Sequence, residues 1–204
     1  MKRLFILTAA VAITTIASAQ IQFGVKAGLN LAGTSVTKQD GVSYSFKPDF
    51  HGGVLVSLPL FSNFSLQPEA MYSRQGSKIK TTDGTTTDNG KLNFGYINVP
   101  ILFKYNDPSG FFAEIGPQAG FLLSANVKDN GTGQSQDLKS NLKSFDFSGV
   151  LGIGYLSSLN IGIDARYNLG FLNMVKSSPG SGSIKNGVIQ IGIFYLFGEH
   201  IDKK

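Results

Sequence analysis

Eight polar residues stand singly inside otherwise apolar, alternating runs: Lys26, Glu69, Asn98, Lys104, Glu114, Asp146, Asp164 and Arg166. In IGIDARYNLGF, residues 161–171, Asp164 and Arg166 are two apart. On an extended backbone they share one face, while Ile161, Ile163, Ala165, Tyr167 and Leu169 share the other. An acid and a base brought together in an enclosed space form an ion pair, and several form a network; a proton or ion path, or a pair of catalytic carboxylates, uses the same residue types. A structural network is the expectation, because buried charges require partners and hydrogen bonds before they can do anything else.

Other chemistry finds less support. The chain has no cysteine and only two histidines, His51 and His200, neither in a cluster with metal-ligand spacing. No metal, cofactor or catalytic group is therefore expected. A hydrolase built on His51 and a loop serine is the weaker alternative. Gly149, Gly152 and Gly154 lack the spacing of a dinucleotide loop and precede no helix, so they read as strand glycines that relieve crowding inside a narrow barrel.

The elements that must position the eight residues are strands. Period-2 alternation recurs over Phe23–Leu31, Phe50–Leu60, Phe64–Ser73, Phe94–Tyr105, Phe111–Ser124, Phe145–Tyr155, Ile161–Phe171 and Val188–Phe197. These eight runs are long for soluble strands and match the ~9–11 residues of a tilted membrane-spanning strand. Their connections alternate strictly in length. Short joins follow the second, fourth and sixth runs, and long polar ones occupy Ala32–Asp49, Arg74–Asn93, Ala125–Ser144 and Leu172–Gly187. Outer-membrane barrels show this rhythm, with tight periplasmic turns and long outer loops. Asp83-Gly84 is a hairpin signal that predicts strand continuation above the membrane toward Thr82 and Thr85.

Before the first run lies a different pattern. Lys2 and Arg3 precede an apolar stretch from Leu4 to Ile16 and then Ala17-Ser18-Ala19. That order predicts a secretory signal over 1–19, cleaved between Ala19 and Gln20, followed by a barrel domain over 20–197 and a short polar tail over 198–204. The formal charge is +5, two units of it from Lys2 and Arg3, and no basic block accompanies it, so no nucleic-acid partner is expected.

Glycine numbers 25, charged residues make up 15%, and Phe and Tyr number 16 and 7, a balance that suits a β-rich membrane protein. The apolar face should meet lipid, because the polar face carries Gly, Ser, Asn and Gln with isolated opposed charges, as a crowded lumen needs. Two aromatic girdles are expected: Phe23, Phe64, Tyr105, Phe111, Tyr155, Tyr195 and Phe197 at the turn end, and Tyr72, Phe94, Tyr96, Phe121, Tyr167 and Phe171 at the loop end. Pro68, Pro100 and Pro117 fall inside the third, fourth and fifth runs at one height, which predicts a seam of bulges or, alternatively, a lateral opening.

The stretches IQFGVKAGLNLAG, LQPEAMYSRQG, YINVPILFKY, AEIGPQAGFLLSA, FDFSGVLGIGY and IQIGIFYLF, in that order over Gln22–Phe197, resemble the PorT-like family of small outer-membrane β-barrels. The resemblance implies an eight-stranded barrel in the outer membrane of a Gram-negative bacterium and links the chain to protein secretion or envelope assembly.

The expectation is an all-β, eight-stranded, antiparallel up-and-down transmembrane β-barrel with a filled lumen. It would be a monomer, without catalysis, touching outer-membrane lipids, lipopolysaccharide and other envelope or secretion proteins through its long loops. A narrow porin-like channel is the alternative, and a lipid- or peptide-modifying enzyme a third reading.

Overall fold

A computed structural model describes residues 21–36, 42–83, 86–129, 133–174 and 184–198. The expected signal segment, its Ala19–Gln20 junction, and His200 in the tail lie outside these residues.

The strands are β1 (Gln22–Val36), β2 (Val42–Pro59), β3 (Phe64–Gln75), β4 (Ser77–Asp83), β5 (Thr86–Asn106), β6 (Phe111–Asp129), β7 (Ser135–Asp137), β8 (Phe145–Leu156), β9 (Ile161–Gly170) and β10 (Ile184–Phe197). Every pairing is antiparallel. β1 pairs with both β2 and β10, with Phe23 opposite Val56 on one side and Phe197 on the other, so the sheet closes on itself. β4 continues β3: Gln75 lies opposite Phe94 and Lys78 opposite Lys91, without a change of register on β5. Eight walls therefore form one closed barrel, with β7 a short addition to β6. Closure pairs the backbone groups that lipid cannot satisfy.

The alternation decides which side is which. β9 reads exposed, buried, exposed, buried without exception. Ile153, Leu151, Ile191 and Leu29 point outward at 58–66% exposure, whereas Lys26, Glu69, Glu114 and Arg166 are buried inside. A continuous apolar belt of this kind far exceeds the few hundred Å² that soluble monomers expose. Among the described residues no helix is long and apolar enough to cross a membrane; the outward apolar belt lies on the strands.

Three tight turns and both ends of the barrel domain share one rim. In the first turn Ser62 adopts φ 47°, and in the third Asn160 adopts φ 61°. In the second, Gly110 takes φ 97° and donates its N–H to the Asp107 carbonyl at 2.9 Å. Ser109 donates to the Asp107 carboxylate from its amide and hydroxyl, which holds that exposed carboxyl below its ordinary range.

Four expectations need correction. The long connections are largely strand: β5 runs 21 residues and β2 runs 18, so the wall projects well beyond the ~9–11 residues that span lipid. Above the membrane the backbone still gains by pairing, but its side chains no longer alternate with apolar ones. Strand pairing continues past Thr82 to Asp83 opposite Thr86, while Gly84 and Thr85 of the expected turn lie outside the described residues.

The prolines are not bulges. Register is the same on both sides of each: Leu55 opposite Glu69 and Leu58 opposite Leu66; Pro68 opposite Ile101 and Met71 opposite Asn98; Pro100 opposite Gln118 and Phe103 opposite Ile115. Each removes a ladder donor while its fixed φ remains compatible with a strand. Nor is the wall open there. A Cβ on Gly116 would lie 2.0 Å from the Ile101 carbonyl oxygen, so the backbones of β5 and β6 are in close contact.

The register shift in this wall falls instead at Gly95–Tyr96, opposite Leu122 and Ser124. It turns Ala125 inward beside Leu122, onto the side that Phe94 and Tyr96 take by their parity with Asn98 and Lys104. Phe94 and Tyr96 are thus buried rather than part of the outer girdle. The remaining loop-end aromatics Tyr72, Phe121, Tyr167 and Phe171 do face outward. Last, Gly149 lies on the outward side beneath the Phe171 ring, whereas Gly152 and Gly154 face in.

Candidate functional site

The lumen is filled in layers. At mid-height β9 supplies Asp164 and Arg166, β1 Lys26, β3 Gln67 and Glu69, β5 Lys104 and β6 Glu114. Arg166 reaches across the barrel and grips Glu69 with two parallel bonds, Nη1 to Oε2 at 2.7 Å and Nη2 to Oε1 at 2.8 Å. Its Nε donates to Glu114, and its Nη2 lies 3.3 Å from Asp164. Lys26 pairs with Asp164. Gln67 relays the layer outward, donating to Glu69 at 2.6 Å and accepting from Lys104 at 3.0 Å. The side chains of the six ions are at most 4% exposed. Three cations face three anions, so the layer is neutral, and the Arg–carboxylate fork gives it a fixed geometry.

Glycine makes room for it. A Cβ at Gly152 would meet Glu114 at 2.7 Å, and one at Gly192 would meet the Lys26 side chain at 2.7 Å and Asp164 at 2.8 Å. The small residues on β8 and β10 therefore face the bulky ions of β1, β6 and β9.

Toward the turns, Leu55, Phe112, Phe194 and Leu196 form an apolar cluster. The Lys104 ammonium lies 3.7 Å from the Phe112 ring centre and 5.2 Å from that of Phe194, a cation–π arrangement. Beside it a polar vestibule of about 380 Å³, lined by Gln22, Ser57, Ser65, Gln67 and Asn106, opens at the turn end.

Toward the loops, Asn30 is a hub. It donates to Ser73 at 2.9 Å and accepts from Gln190 at 2.8 Å, and its Oδ1 is 2.8 Å from His51 Nδ1. His51 is thus buried inside the wall, with its Nδ1 against the Asn30 amide and Ser73 directly opposite it on β3. Asn98 and Asp146, expected in the ion network, line a separate small cavity above it with Gln118, Ser148 and Asn168. Over that cavity Phe94, Tyr96, Leu122, Ala125 and Met174 pack with Leu92, Leu138 and Leu142 as an apolar cap.

Six of the eight expected polar residues therefore meet in one network, and two do not. Sequence reasoning missed Gln67, Asn30, the buried position of His51, and the inward Phe112 and Phe194. The signal for the last two was present: they share parity with Glu114 and with Gln190.

Above the membrane, Lys78, Lys91 and Lys128 lie directly opposite one another on β4, β5 and β6. Like charges in register repel, and no carboxylate whose side chain is described lies within ion-pair distance of any of them. Among the described residues no three His, Cys, Asp or Glu side chains gather as metal ligands.

Residues 16–176 match the family model described as outer membrane protein beta-barrel domain. Among solved structures, the Neisserial surface protein A shares 13% identity with a TM-score of 0.54, over 86% of this chain and 97% of that one. Ail of Yersinia pestis gives 16%, 0.46, 86% and 98%, and OprG of Pseudomonas aeruginosa 14%, 0.47, 86% and 95%. The likeness to the Neisserial protein is one of fold. No curated protein matches the chain.

Proposed function

We propose, from the premise that this chain belongs to the outer membrane protein beta-barrel domain family and resides in the outer membrane of a Gram-negative bacterium, that it is a closed-lumen envelope protein working from its outer face. The observation that carries this reading is the neutral ion network, which fills the mid-lumen beneath an apolar cap. A conducting pore needs a continuous wet path, and small barrels are just filled by side chains. In a planar bilayer the purified protein is expected to stay silent; steady, ion-selective steps would establish the narrow channel instead.

The projecting strands are the surface left to do the work, as a structural or interaction component without catalysis. The resemblance to PorT-like barrels supports a place in secretion or envelope assembly. Capture of envelope proteins from the native membrane, lost on deleting residues 78–91, tests that role. The lysine row supports a lipopolysaccharide contact, since phosphate groups bind ammonium groups by charge-assisted hydrogen bonds. Changing Lys78, Lys91 and Lys128 together to glutamine is expected to lower the lipopolysaccharide retained through purification several-fold. Unchanged retention removes that contact.

A further inference from the structure

Asp146 is buried, yet no Lys, Arg or His whose side chain is described lies within ion-pair distance of it. Its Oδ1 accepts the Phe147 N–H at 2.8 Å, and the Asn186 amide also donates to it. Those bonds leave its charge uncompensated, which is costly in an enclosed lumen.

Cross-strand register assembles polar oxygen atoms around it. Asn98, Gly120 and Asp146 stand in one row on β5, β6 and β8, and Pro100, Gln118 and Ser148 in the next. Gly120 has no side chain, and a Cβ there would meet Asn98 Oδ1 at 3.0 Å and Asp146 Cβ at 3.5 Å. Asn98 and Asp146 therefore face each other across the gap it leaves. Gln118 spends its Nε2 on Ser148 at 3.0 Å, which leaves its carbonyl oxygen available.

The third element is Asn168. It is 3% exposed, it lines the same cavity, and neither its Nδ2 nor its Oδ1 has a partner. A buried amide with both ends unbonded is rare. The cavity measures about 10 Å³, room for one water-sized particle.

We infer that this upper-lumen cavity is a monovalent cation site of sodium size, held by the Asp146 carboxylate and the side-chain oxygens of Asn98, Gln118, Ser148 and Asn168. All offer hard oxygen donors, and no imidazole or sulfur lines the cavity, which selects alkali or alkaline-earth ions. One carboxylate matches one positive charge. A water molecule leaves the Asp146 charge uncompensated, whereas a sodium ion offsets that charge and is coordinated by the unpartnered Asn168 Oδ1. The inference rests on the barrel fold alone and stands whether or not the outer face binds partners.

The test is thermal unfolding of the full chain in detergent micelles, in sodium chloride against choline chloride at equal ionic strength, with calcium chloride as a third arm. Sodium is expected to raise the folded-to-unfolded ratio on the order of tenfold over choline, as a ligand specific to the folded state does. Asp146→Asn should keep the folded, fast-migrating band on unheated gels and lose the sodium dependence. Equal stability of the natural protein in sodium and choline overturns the site. So does an Asp146→Asn protein that still responds to sodium. Stabilisation by calcium and not by sodium overturns the monovalent assignment. A protonated carboxyl band in the infrared spectrum that disappears in Asp146→Asn, seen in sodium buffer near neutral pH, also overturns it.

Discussion

Arg166→Ala is expected to destabilise the barrel by about 3–5 kcal/mol, the loss typical when one partner of a buried ion pair is removed. The guanidinium touches Glu69, Glu114 and Asp164, and its side chain is 3% exposed. Without it three buried carboxylates face two ammonium groups, and Glu69 loses both arms of its fork. Urea unfolding from micelles, followed by circular dichroism, gives the magnitude. The companion experiment separates charge from packing. Arg166→Met with Glu69→Gln restores neutrality at similar volume and should recover a large part of the loss, since contacting residues are strongly non-additive. An Arg166→Ala protein within 1 kcal/mol of the natural one would refute the claim that the network holds the lumen together.

Gly116→Val should largely abolish formation of the closed barrel. Its Cβ would lie 2.0 Å from the Ile101 carbonyl oxygen and 3.0 Å from Leu102 Cα, both backbone atoms that cannot rotate away. β5 and β6 must then part at the place where Pro117 already removes a donor. Overpacking in a fixed interior typically costs ~1–3 kcal/mol and can cost more where only backbone can yield. Separated strands in lipid add unpaired groups to that cost. Gly52→Ala is the control: its Cβ meets only the Lys26 carbonyl oxygen, at 3.6 Å. The valine variant should lose the heat-sensitive fast band on unheated gels, while the alanine control keeps it. Equal folding yields for the two would show that β5 and β6 can separate cheaply.

How much of this was legible beforehand follows from what each signal measures. Alternation reports which face a side chain takes, and it placed Lys26, Glu69, Lys104, Glu114, Asp164 and Arg166 inside because lipid on the other side tolerates no charge. It carries no information about height. Asp146 therefore looked equivalent to Asp164, although cross-strand register puts it opposite Gly120 in a different layer. Alternation also fails where the solvent changes. Above the membrane both faces are wet, so Thr86–Asn93 reads as loop while the backbone continues as strand. Phe94 and Tyr96 were misplaced although their signal was present, since they share parity with Asn98 and Lys104; only the inward turn of Ala125 needs the pairing information of the shift at Gly95–Tyr96. The prolines misled in the opposite direction, since a missing donor does not by itself force an extra residue into the ladder.

The division of side chains between the two surfaces also governs how the polypeptide reaches its destination. Beyond residue 20 no run approaches 18 consecutive apolar residues, because every second position belongs to the largely polar interior. An insertion machinery that sorts nascent chains by greasiness over about 20 residues finds nothing to release sideways into the inner membrane. The chain can thus pass through that first bilayer as a wettable thread and cross the aqueous compartment beyond it. Its continuous oily exterior comes into being only as the ring shuts, which couples the burial of that surface in lipid to closure of the sheet.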